Sequence, residues 1–371
     1  MSHTSFHPTP RTLMGPGPSD VHPRVLAAMG QPTIGHLDPE FIGLMEDIKA
    51  LLRYSFKTEN RLTLPLSAPG SAGMEAAFAN LMERGDKVVV CINGVFGVRM
   101  TENVKRMGGT LVTVDDEWGT QVDPEKLKST LAEHPDAKIV AFVHAETSTG
   151  VRSDAATLCE IARENNCLTI VDAVTALGGI ELCVDDWQAD VVYSGTQKCL
   201  SCPPGLSLIT FSDAAAERVK SRNTPVQSWF LDLSLLMAYW EGEGARTYHH
   251  TAPVNAMYGL HEALLMLHEE GLEASWQRHR SMHESLVAGL QDIGLDFVVD
   301  ADYRLPQLNA VSCPEGMDEA IIRRRLLQEF NLEIGAGLGA FAGKVWRIGL
   351  MGYAARPENV QLCVSALRQC I

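Results

Sequence analysis

Residues 138–174, KIVAFVHAETSTGVRSDAATLCEIARENNCLTIVDAV, contain the pattern that decides the fold. Lys138 to Val143 and Leu168 to Val171 are short apolar runs, which are typical of buried strands. Between them, Asp154 to Asn166 repeats its apolar residues at a spacing that places them on one face of a helix. A strand, a helix and a second strand in this order predict a largely parallel sheet covered by helices, with some antiparallel pairs allowed.

The same alternation of short apolar runs and amphipathic segments extends in both directions along the chain. Further strands are predicted at Lys87 to Ile92, Gly109 to Val114, Asp190 to Tyr193 and Leu206 to Phe211. After about Gly271 the pattern changes to helices at Leu272 to Gly294 and Asp318 to Phe330, with strands at Asp296 to Val299, Gln307 to Cys313 and Val345 to Met351.

We therefore expect an α/β protein of two unequal domains, since 371 residues exceed what one hydrophobic core normally covers. Residues 1–20 are predicted to form an extended arm. Residues 21–270 are predicted to form a large domain with a mostly parallel sheet between helices. Residues 271–371 are predicted to form a smaller C-terminal α+β domain.

Composition and charge exclude several classes of function. The net charge of -15 and the lack of a basic run with interleaved aromatics argue against binding to nucleic acid or to an anionic membrane. No stretch approaches the roughly 18 unbroken apolar residues of a membrane span, and the N-terminus lacks an apolar signal core, so we expect a cytoplasmic protein. Nine scattered cysteines indicate reduced thiols.

Three patterns that suggest metal or nucleotide sites do not meet the requirements of such sites. Cys199-x-x-Cys202 has no second pair and no nearby histidine, and the pair His249-His250 alone does not make a metal site, so no metal is expected. The glycine-rich segment Gly335 to Lys344 does not have the spacing of a nucleotide-binding P-loop.

Lys198 is a candidate for catalysis. It is the only lysine or arginine between Arg163 and Arg218, and its neighbours are small and apolar. Burial lowers the pKa of a lysine, and the neutral amine is the nucleophile that a carbonyl compound requires. The alternative is a solvated lysine in a loop.

Asp172 directly follows the strand Leu168 to Val171, so it lies at the carboxyl end where open α/β sheets bind their ligands. A carboxylate there could pair with the protonated ring nitrogen of a cofactor. The alternative is an aspartate that caps the next helix.

Three further elements suggest anion or ring binding. Gly70 and Ser71 occupy a turn that leads into a helix, where free amides could hold a phosphate, although any such turn can contain these residues. Phe96 follows a strand between two glycines and could stack on a ring, or simply pack in the core. Arg347, within an apolar strand, could clamp a carboxylate or form a structural salt bridge.

Seven motifs in one order give the sequence a family resemblance. They are the Gly70-Ser71 turn, Phe96, His144-Ala-Glu-Thr-Ser-Thr-Gly150, Val171-Asp172-Ala-Val174, Ser194-Gly-Thr-Gln-Lys198, Tyr248-His-His-Thr251 and Arg347. Together they resemble the alanine–glyoxylate and serine–glyoxylate (serine–pyruvate) branch of the class V aminotransferases. The resemblance runs from Leu13 to Gly352. It implies the fold type I of pyridoxal 5'-phosphate (PLP)-dependent transferases.

The resemblance also implies a role for each matching residue. Lys198 would be the Schiff-base lysine and the proton shuttle, and Asp172 would be the partner of the pyridinium nitrogen. Arg347 would bind the carboxylate of small amino acid and 2-oxo acid substrates, in a pocket lined by Gly17. The residues implied to bind PLP are Gly70, Ser71, Phe96, Thr147, Asp172, Val174, Gln197, Lys198, Tyr248 and Thr251. Because Tyr248 and Thr251 would come from a neighbouring subunit, a homodimer that shares its phosphate site is expected.

The implied reaction is transamination from alanine or serine to glyoxylate, which gives glycine and pyruvate or hydroxypyruvate. The alternatives within the family are a ureidoglycine–glyoxylate aminotransferase and a broader serine–pyruvate aminotransferase. Outside the family they are a nucleotide- or NAD-binding oxidoreductase and a silent dimeric binding module. The sequence departs from its relatives at Pro69, where Ser or Thr is common, at Ser71, which can be His, and at Phe96, where several have Trp.

Overall fold

The computed structural model describes residues 3–240 and 247–371. The strands are β1 (Thr12–Leu13), β2 (Leu62–Leu66), β3 (Lys87–Ile92), β4 (Thr110–Asp115), β5 (Ile139–Val143), β6 (Ala145–Glu146), β7 (Val151–Arg152), β8 (Leu168–Asp172), β9 (Val191–Gly195), β10 (Ser207–Phe211), β11 (Leu308–Ser312), β12 (Leu332–Glu333), β13 (Gly335–Ala336) and β14 (Val345–Gly349). The helices are α1 (Pro23–Met29), α2 (Pro39–Phe56), α3 (Gly70–Leu81), α4 (Val95–Arg106), α5 (Pro124–Glu133), α6 (Ala155–Glu164), α7 (Val184–Trp187), α8 (Asp213–Lys220), α9 (Leu233–Trp240), α10 (Val254–Glu270), α11 (Leu272–Asp292), α12 (Glu319–Phe330) and α13 (Pro357–Cys370).

The main sheet has the strand order β2-β10-β9-β8-β5-β3-β4. The four pairs from β9 to β4 are parallel, whereas β10 is antiparallel to both of its neighbours. Every residue of β5, β9 and β10 is buried, which is why these strands read as continuous apolar runs rather than as alternating ones. The sheet confirms the predicted α/β class with a mostly parallel sheet between helices.

The strand register places the candidate functional side chains at one edge of this sheet. Asp172, the last residue of β8, is opposite Val143 at the end of β5 and opposite Tyr193 in β9. The chain after β9 continues directly to Lys198. The carboxyl ends of three neighbouring parallel strands therefore converge at one place, as in other open α/β sheets.

A smaller antiparallel sheet, in the order β11-β14-β13, lies in the C-terminal part of the chain. Its core includes Leu286 of α11, Leu326 of α12 and Trp346 of β14, and it also includes Met14 of the N-terminal segment. The segment is anchored there because β1 pairs in parallel with β12. The N-terminal segment is thus held by β12, with which it forms a separate two-stranded sheet, and by the N–H of Gly349 in β14, which donates to the carbonyl of Met14 at 2.7 Å.

Some predicted boundaries differ from the structure. Asp296 to Val299 is not a continuous strand, because only Phe297 forms an isolated bridge, to Val311. The other predicted strands and helices agree to within about two residues, and α1 and α2 were not predicted. The division at residues 20 and 270 stays a prediction. No helix in the described ranges is long and apolar enough to cross a membrane.

Candidate active site

A cavity of about 190 Å³ opens where the strands of the main sheet end. It is lined by Gly70, Ser71, Met74, Phe96, Arg99, Asp172, Val174, Tyr193, Gln197 and Lys198. Most of the site residues that the sequence predicted therefore come together at one place, although they are spread over more than 120 positions of the chain. Larger cavities exist elsewhere among the described residues, but those beside Arg278, His144, Lys126 and Arg280 do not bring together a lysine, a buried carboxylate and a helix N-terminus.

Lys198 is buried, with 8% of its surface exposed. Its Nζ donates a hydrogen bond to the carbonyl of Pro16 in the N-terminal segment. Burial lowers the pKa of Lys198 to about 8, and the positive charge of Arg347 contributes in the same direction. A much larger fraction of this amine is therefore neutral near pH 7 than of an ordinary lysine, as a nucleophile requires.

The carboxylate of Asp172 is held by two donors. Its Oδ1 accepts the N–H of Val174 at 2.9 Å, and its Oδ2 accepts the hydroxyl of Tyr193 at 2.8 Å. Burial raises the pKa of Asp172 to about 6, while these two hydrogen bonds act to lower it. The group is therefore mostly ionised at neutral pH, and it lines the cavity.

The anion cradle forms at the start of α3. Gly70 and Ser71 occupy its first turn, where backbone N–H groups lack intrahelical acceptors, and the preceding Pro69 supplies no side-chain cap. A Cβ at Gly70 would lie 3.5 Å from Val174 and 3.7 Å from the α-carbon of Gly195. These are ordinary van der Waals distances, so it is the free N–H groups of the first turn, and not a steric need for glycine, that suit this point to an anion.

Gln197 faces the same cradle. Its Oε1 is buried and has no hydrogen-bond partner among the described residues. Since the two ends of an amide can exchange places by rotation, Gln197 can present its NH₂ group to an anion. A phosphate bound here would give hydrogen-bond partners to the Gln197 amide and to the free N–H groups of the helix.

Phe96 is placed by the first turn of α4. Glu146, which is fully buried, accepts the backbone N–H of Phe96 at 3.1 Å and that of Ser148 at 2.9 Å. The Ser148 hydroxyl in turn accepts the N–H of Val95 at 2.9 Å. Burial raises the pKa of Glu146, while the hydrogen bonds from Ser148 and Phe96 act to lower it. This clamp fixes the position of the Phe96 ring at the cavity.

Arg347 lies on β14 and reaches the site from the smaller sheet. Its Nε donates to the carbonyl of Ala336 at 2.7 Å, and its Nη1 donates to the carbonyl of Thr147 at 3.1 Å. Arg347 forms no ion pair with any described carboxylate, so the alternative of a structural salt bridge finds no support there. Burial lowers the pKa of Arg347 to about 10, which leaves it charged at neutral pH. Its remaining N–H groups can still bind a carboxylate.

The other predicted site residues lie at different distances from the cavity. Gly17 touches Lys198 so closely that a Cβ there would lie 2.6 Å from Nζ, and its φ of +107° favours glycine. The hydroxyl of Thr147 is hydrogen-bonded to that of Thr175. Tyr248, 59% exposed, and Thr251, also exposed, do not line the cavity of their own chain.

Sequence reasoning missed three residues of the site: Glu146, Tyr193 and Arg99. Glu146 lies in a segment that carried the family resemblance, and Tyr193 directly precedes another, but neither was assigned a role. A signal existed for Glu146, because an acidic residue follows the buried strand β5 at the same edge as Asp172. No comparable signal exists for Arg99, which lies on an exposed part of α4.

Comparison with known proteins agrees with this geometry. The family model for Aminotransferase class-V matches residues 14–361. The alanine–glyoxylate aminotransferase of Rattus norvegicus is 40% identical over 97% of this chain and 87% of its own length. The (S)-ureidoglycine–glyoxylate transaminase of Bacillus subtilis (strain 168) is 39% identical over 96% of this chain and 89% of its own length.

A solved structure shows the same arrangement along the whole chain. The crystal structure of an alanine–glyoxylate aminotransferase from Nostoc sp. matches with a TM-score of 0.98 and 46% identity. The match covers 100% of this chain and 97% of that one. The family match and these relatives together show that the protein belongs to the class V aminotransferases, which are PLP-dependent enzymes.

Proposed function

We propose that this aminotransferase transfers the amino group of alanine or serine to glyoxylate, giving glycine and pyruvate or hydroxypyruvate. The observation that carries this proposal is how closely the N-terminal segment covers Lys198. The carbonyl of Pro16 accepts a hydrogen bond from Nζ, and the α-carbon of Gly17 leaves no room for a side chain. Because this segment lies directly against Nζ, we expect it to form one wall of the substrate pocket, which favours donors with very small side chains.

The described residues fit PLP. The lysine amine, the oriented carboxylate of Asp172, the ring of Phe96 and the cradle at Gly70 and Ser71 match the aldehyde, the ring nitrogen, the ring face and the phosphate. When bound, PLP supplies an electron sink for chemistry at the α-carbon of an amino acid. We assign ring packing to Phe96 and Val174, contact with the region of the ring hydroxyl to Thr147, and phosphate binding to Gly70, Ser71 and Gln197.

The protein contributes proton transfer and electrostatics to the reaction. Lys198 Nζ removes the proton from the substrate α-carbon, which a neutral amine can do and an ammonium cannot. The pKa of about 8 places this amine near the operating pH, where a general base is most effective. Asp172, held by Tyr193 and Val174, would supply the negative charge that favours the protonated form of the ring nitrogen.

Arg347 supplies the substrate clamp. Two of its N–H groups are held by the carbonyls of Ala336 and Thr147, so the direction of its free edge is fixed before substrate arrives. Both the amino donor and glyoxylate carry a carboxylate next to the reacting carbon. One planar guanidinium can therefore position both substrates in turn.

Ureidoglycine is the competing donor. The (S)-ureidoglycine–glyoxylate transaminase is 39% identical to this chain and the alanine–glyoxylate aminotransferase is 40% identical, so sequence identity does not distinguish the two donors. The test supplies alanine, serine and (S)-ureidoglycine one at a time with glyoxylate and measures glycine, with the Lys198→Ala variant as the control without activity. The proposal requires turnover with alanine or serine. Turnover with ureidoglycine alone would contradict it.

We further propose a cytoplasmic homodimer in which Tyr248 and Thr251 complete the phosphate site of the other subunit. Support comes from their exposure and their absence from the cavity of their own chain. An exposed aromatic neighbour, Trp229, stacks on His249 at 4.5 Å between ring centroids and extends this surface. Sedimentation should give a dimer, and a monomer that binds PLP with full affinity would contradict the shared site.

A further inference from the structure

Arg99 lies beside the proposed phosphate cradle without a carboxylate partner. Its Nη1 is 3.3 Å from the hydroxyl of Ser71, and its guanidinium carbon is 4.9 Å from the centroid of the Phe96 ring. Arg99 forms no ion pair with any carboxylate of the described residues, although the chain has a large excess of negative charge. An arginine that lines a cavity without a counter-ion suggests that an anion binds there.

The position of Arg99 follows from the geometry of α4. Phe96 and Arg99 are three residues apart, so their side chains lie on the same face of the helix. The clamp of Glu146 on the first turn fixes the direction of that face. The guanidinium of Arg99 also makes a cation–π contact with the ring of Phe96, which stabilises its position. Arg99 is thereby directed toward Ser71 rather than into solvent alone.

The charge of the cradle is incomplete without Arg99. Apart from this arginine, the side chains and amides assigned to the phosphate are all neutral, and they come from Gly70, Ser71 and Gln197 and from Tyr248 and Thr251 of a second subunit. A phosphate carries nearly two negative charges at neutral pH. Helix N–H groups and hydroxyls compensate only part of this charge. A cation within hydrogen-bond reach would supply much of the remainder.

We propose that Arg99 is a binding residue for the cofactor phosphate, acting both directly and through the Ser71 hydroxyl. Because that hydroxyl accepts from Arg99, its own hydrogen is free to donate to a phosphate oxygen. This assignment rests on the proposed binding of PLP at Lys198. It adds a charged contact to a site whose other assigned contacts are neutral.

The test compares two probes that differ only in the phosphate. Apoprotein is titrated with PLP and with pyridoxal, which lacks the phosphate, and binding is followed by absorbance and by quenching of tryptophan fluorescence. For Arg99→Gln we expect affinity for PLP to fall about tenfold at low ionic strength, since a charged hydrogen bond is lost. Affinity for pyridoxal should change by less than about twofold. The PLP effect should shrink as salt is added, because Arg99 is exposed.

Two variants serve as controls. Arg106→Gln removes an exposed arginine from the far end of the same helix and should leave both affinities unchanged. Arg99→Lys keeps the charge but loses the planar fork, so it should restore part of the PLP affinity. Because Arg99 is exposed, thermal unfolding of the apoprotein should match wild type in both Arg99 variants.

The outcomes separate the inference from the proposal on which it rests. Equal weakening of both probes would show that Arg99 acts through the Phe96 ring, and no weakening of either would show that it binds no phosphate. Either result overturns the inference while PLP binding by wild type stands. A wild-type protein that does not attach PLP would overturn the proposed function itself, and the inference with it.

Discussion

The hydrogen bond from Tyr193 to Asp172 offers a change of one atom at the centre of the site. Tyr193→Phe removes the hydroxyl that lies 2.8 Å from Oδ2 and leaves the N–H of Val174 in place. Both side chains are buried, so water does not readily replace the lost donor. The carboxylate form of Asp172 should therefore be destabilised relative to its protonated form.

The size of the effect follows from the loss of one hydrogen bond to a charged group, which is worth about 1.5–3 kcal/mol. Since one pH unit corresponds to about 1.4 kcal/mol, the titration midpoint of Asp172 should rise by roughly one to two pH units. In wild type the pKa is about 6, so the group is mostly ionised at pH 7. In the variant a large part of Asp172 is protonated at pH 7 and cannot balance the charge of a ring nitrogen.

The assay is the affinity of apoprotein for PLP as a function of pH. Wild type should lose affinity as the pH falls through about 6, and Tyr193→Phe should lose it at a higher pH. Comparison of the two proteins cancels the titration of PLP itself. Tyr258→Phe, which removes a hydroxyl near Pro32, is the control and should match wild type. Superimposable profiles for Tyr193→Phe and wild type would refute the reasoning.

Three further predictions concern the same site. Gly17→Ala should slow PLP attachment about tenfold or more, because the new Cβ would lie 2.6 Å from Nζ of Lys198 at a φ of +107°. Gly15→Ala, whose new Cβ would have its nearest neighbour at 3.8 Å, should behave as wild type. Stopped-flow absorbance measures the rate for both variants. Glu146→Ala should lower the free energy of unfolding in urea by about 1–3 kcal/mol, because it leaves the buried N–H of Ser148 and the partly buried N–H of Phe96 unpaired; an unchanged midpoint would contradict this role. The rate of PLP attachment should rise as the pH increases through about 8, where Lys198 becomes neutral, and a rise only near the usual lysine pKa would contradict the effect of burial.

The central strands of the main sheet could be predicted because they are buried on both faces. Lys87–Ile92 appears in the structure with the bounds that the sequence indicated, and Leu168–Asp172 extends the predicted strand by one residue. The prediction of a strand at Asp296 to Val299 was wrong, because this segment lies beside β11 with only one bridging residue. An apolar run in the sequence does not show whether a continuous ladder of strand hydrogen bonds forms.

The candidate site was predictable only in part. Asp172 could be found because its position depends on a local rule, the end of a buried parallel strand. The contacts of Glu146 with Phe96 and of Tyr193 with Asp172 join residues 50 and 21 positions apart. Such pairings are set by sheet register and helix packing, which a single sequence does not display. Arg99 was missed for the same reason, since its partner Ser71 lies on another helix.

The central claim is that the amine of Lys198 forms the covalent link to PLP. Borohydride reduction of the PLP-saturated protein, followed by proteolysis and mass spectrometry, tests it directly, with Lys198→Ala as the control that should remain unlabelled. We expect a pyridoxyl group on the peptide that contains Lys198. An unmodified Lys198 in fully saturated protein, or a label on a different lysine, would contradict it.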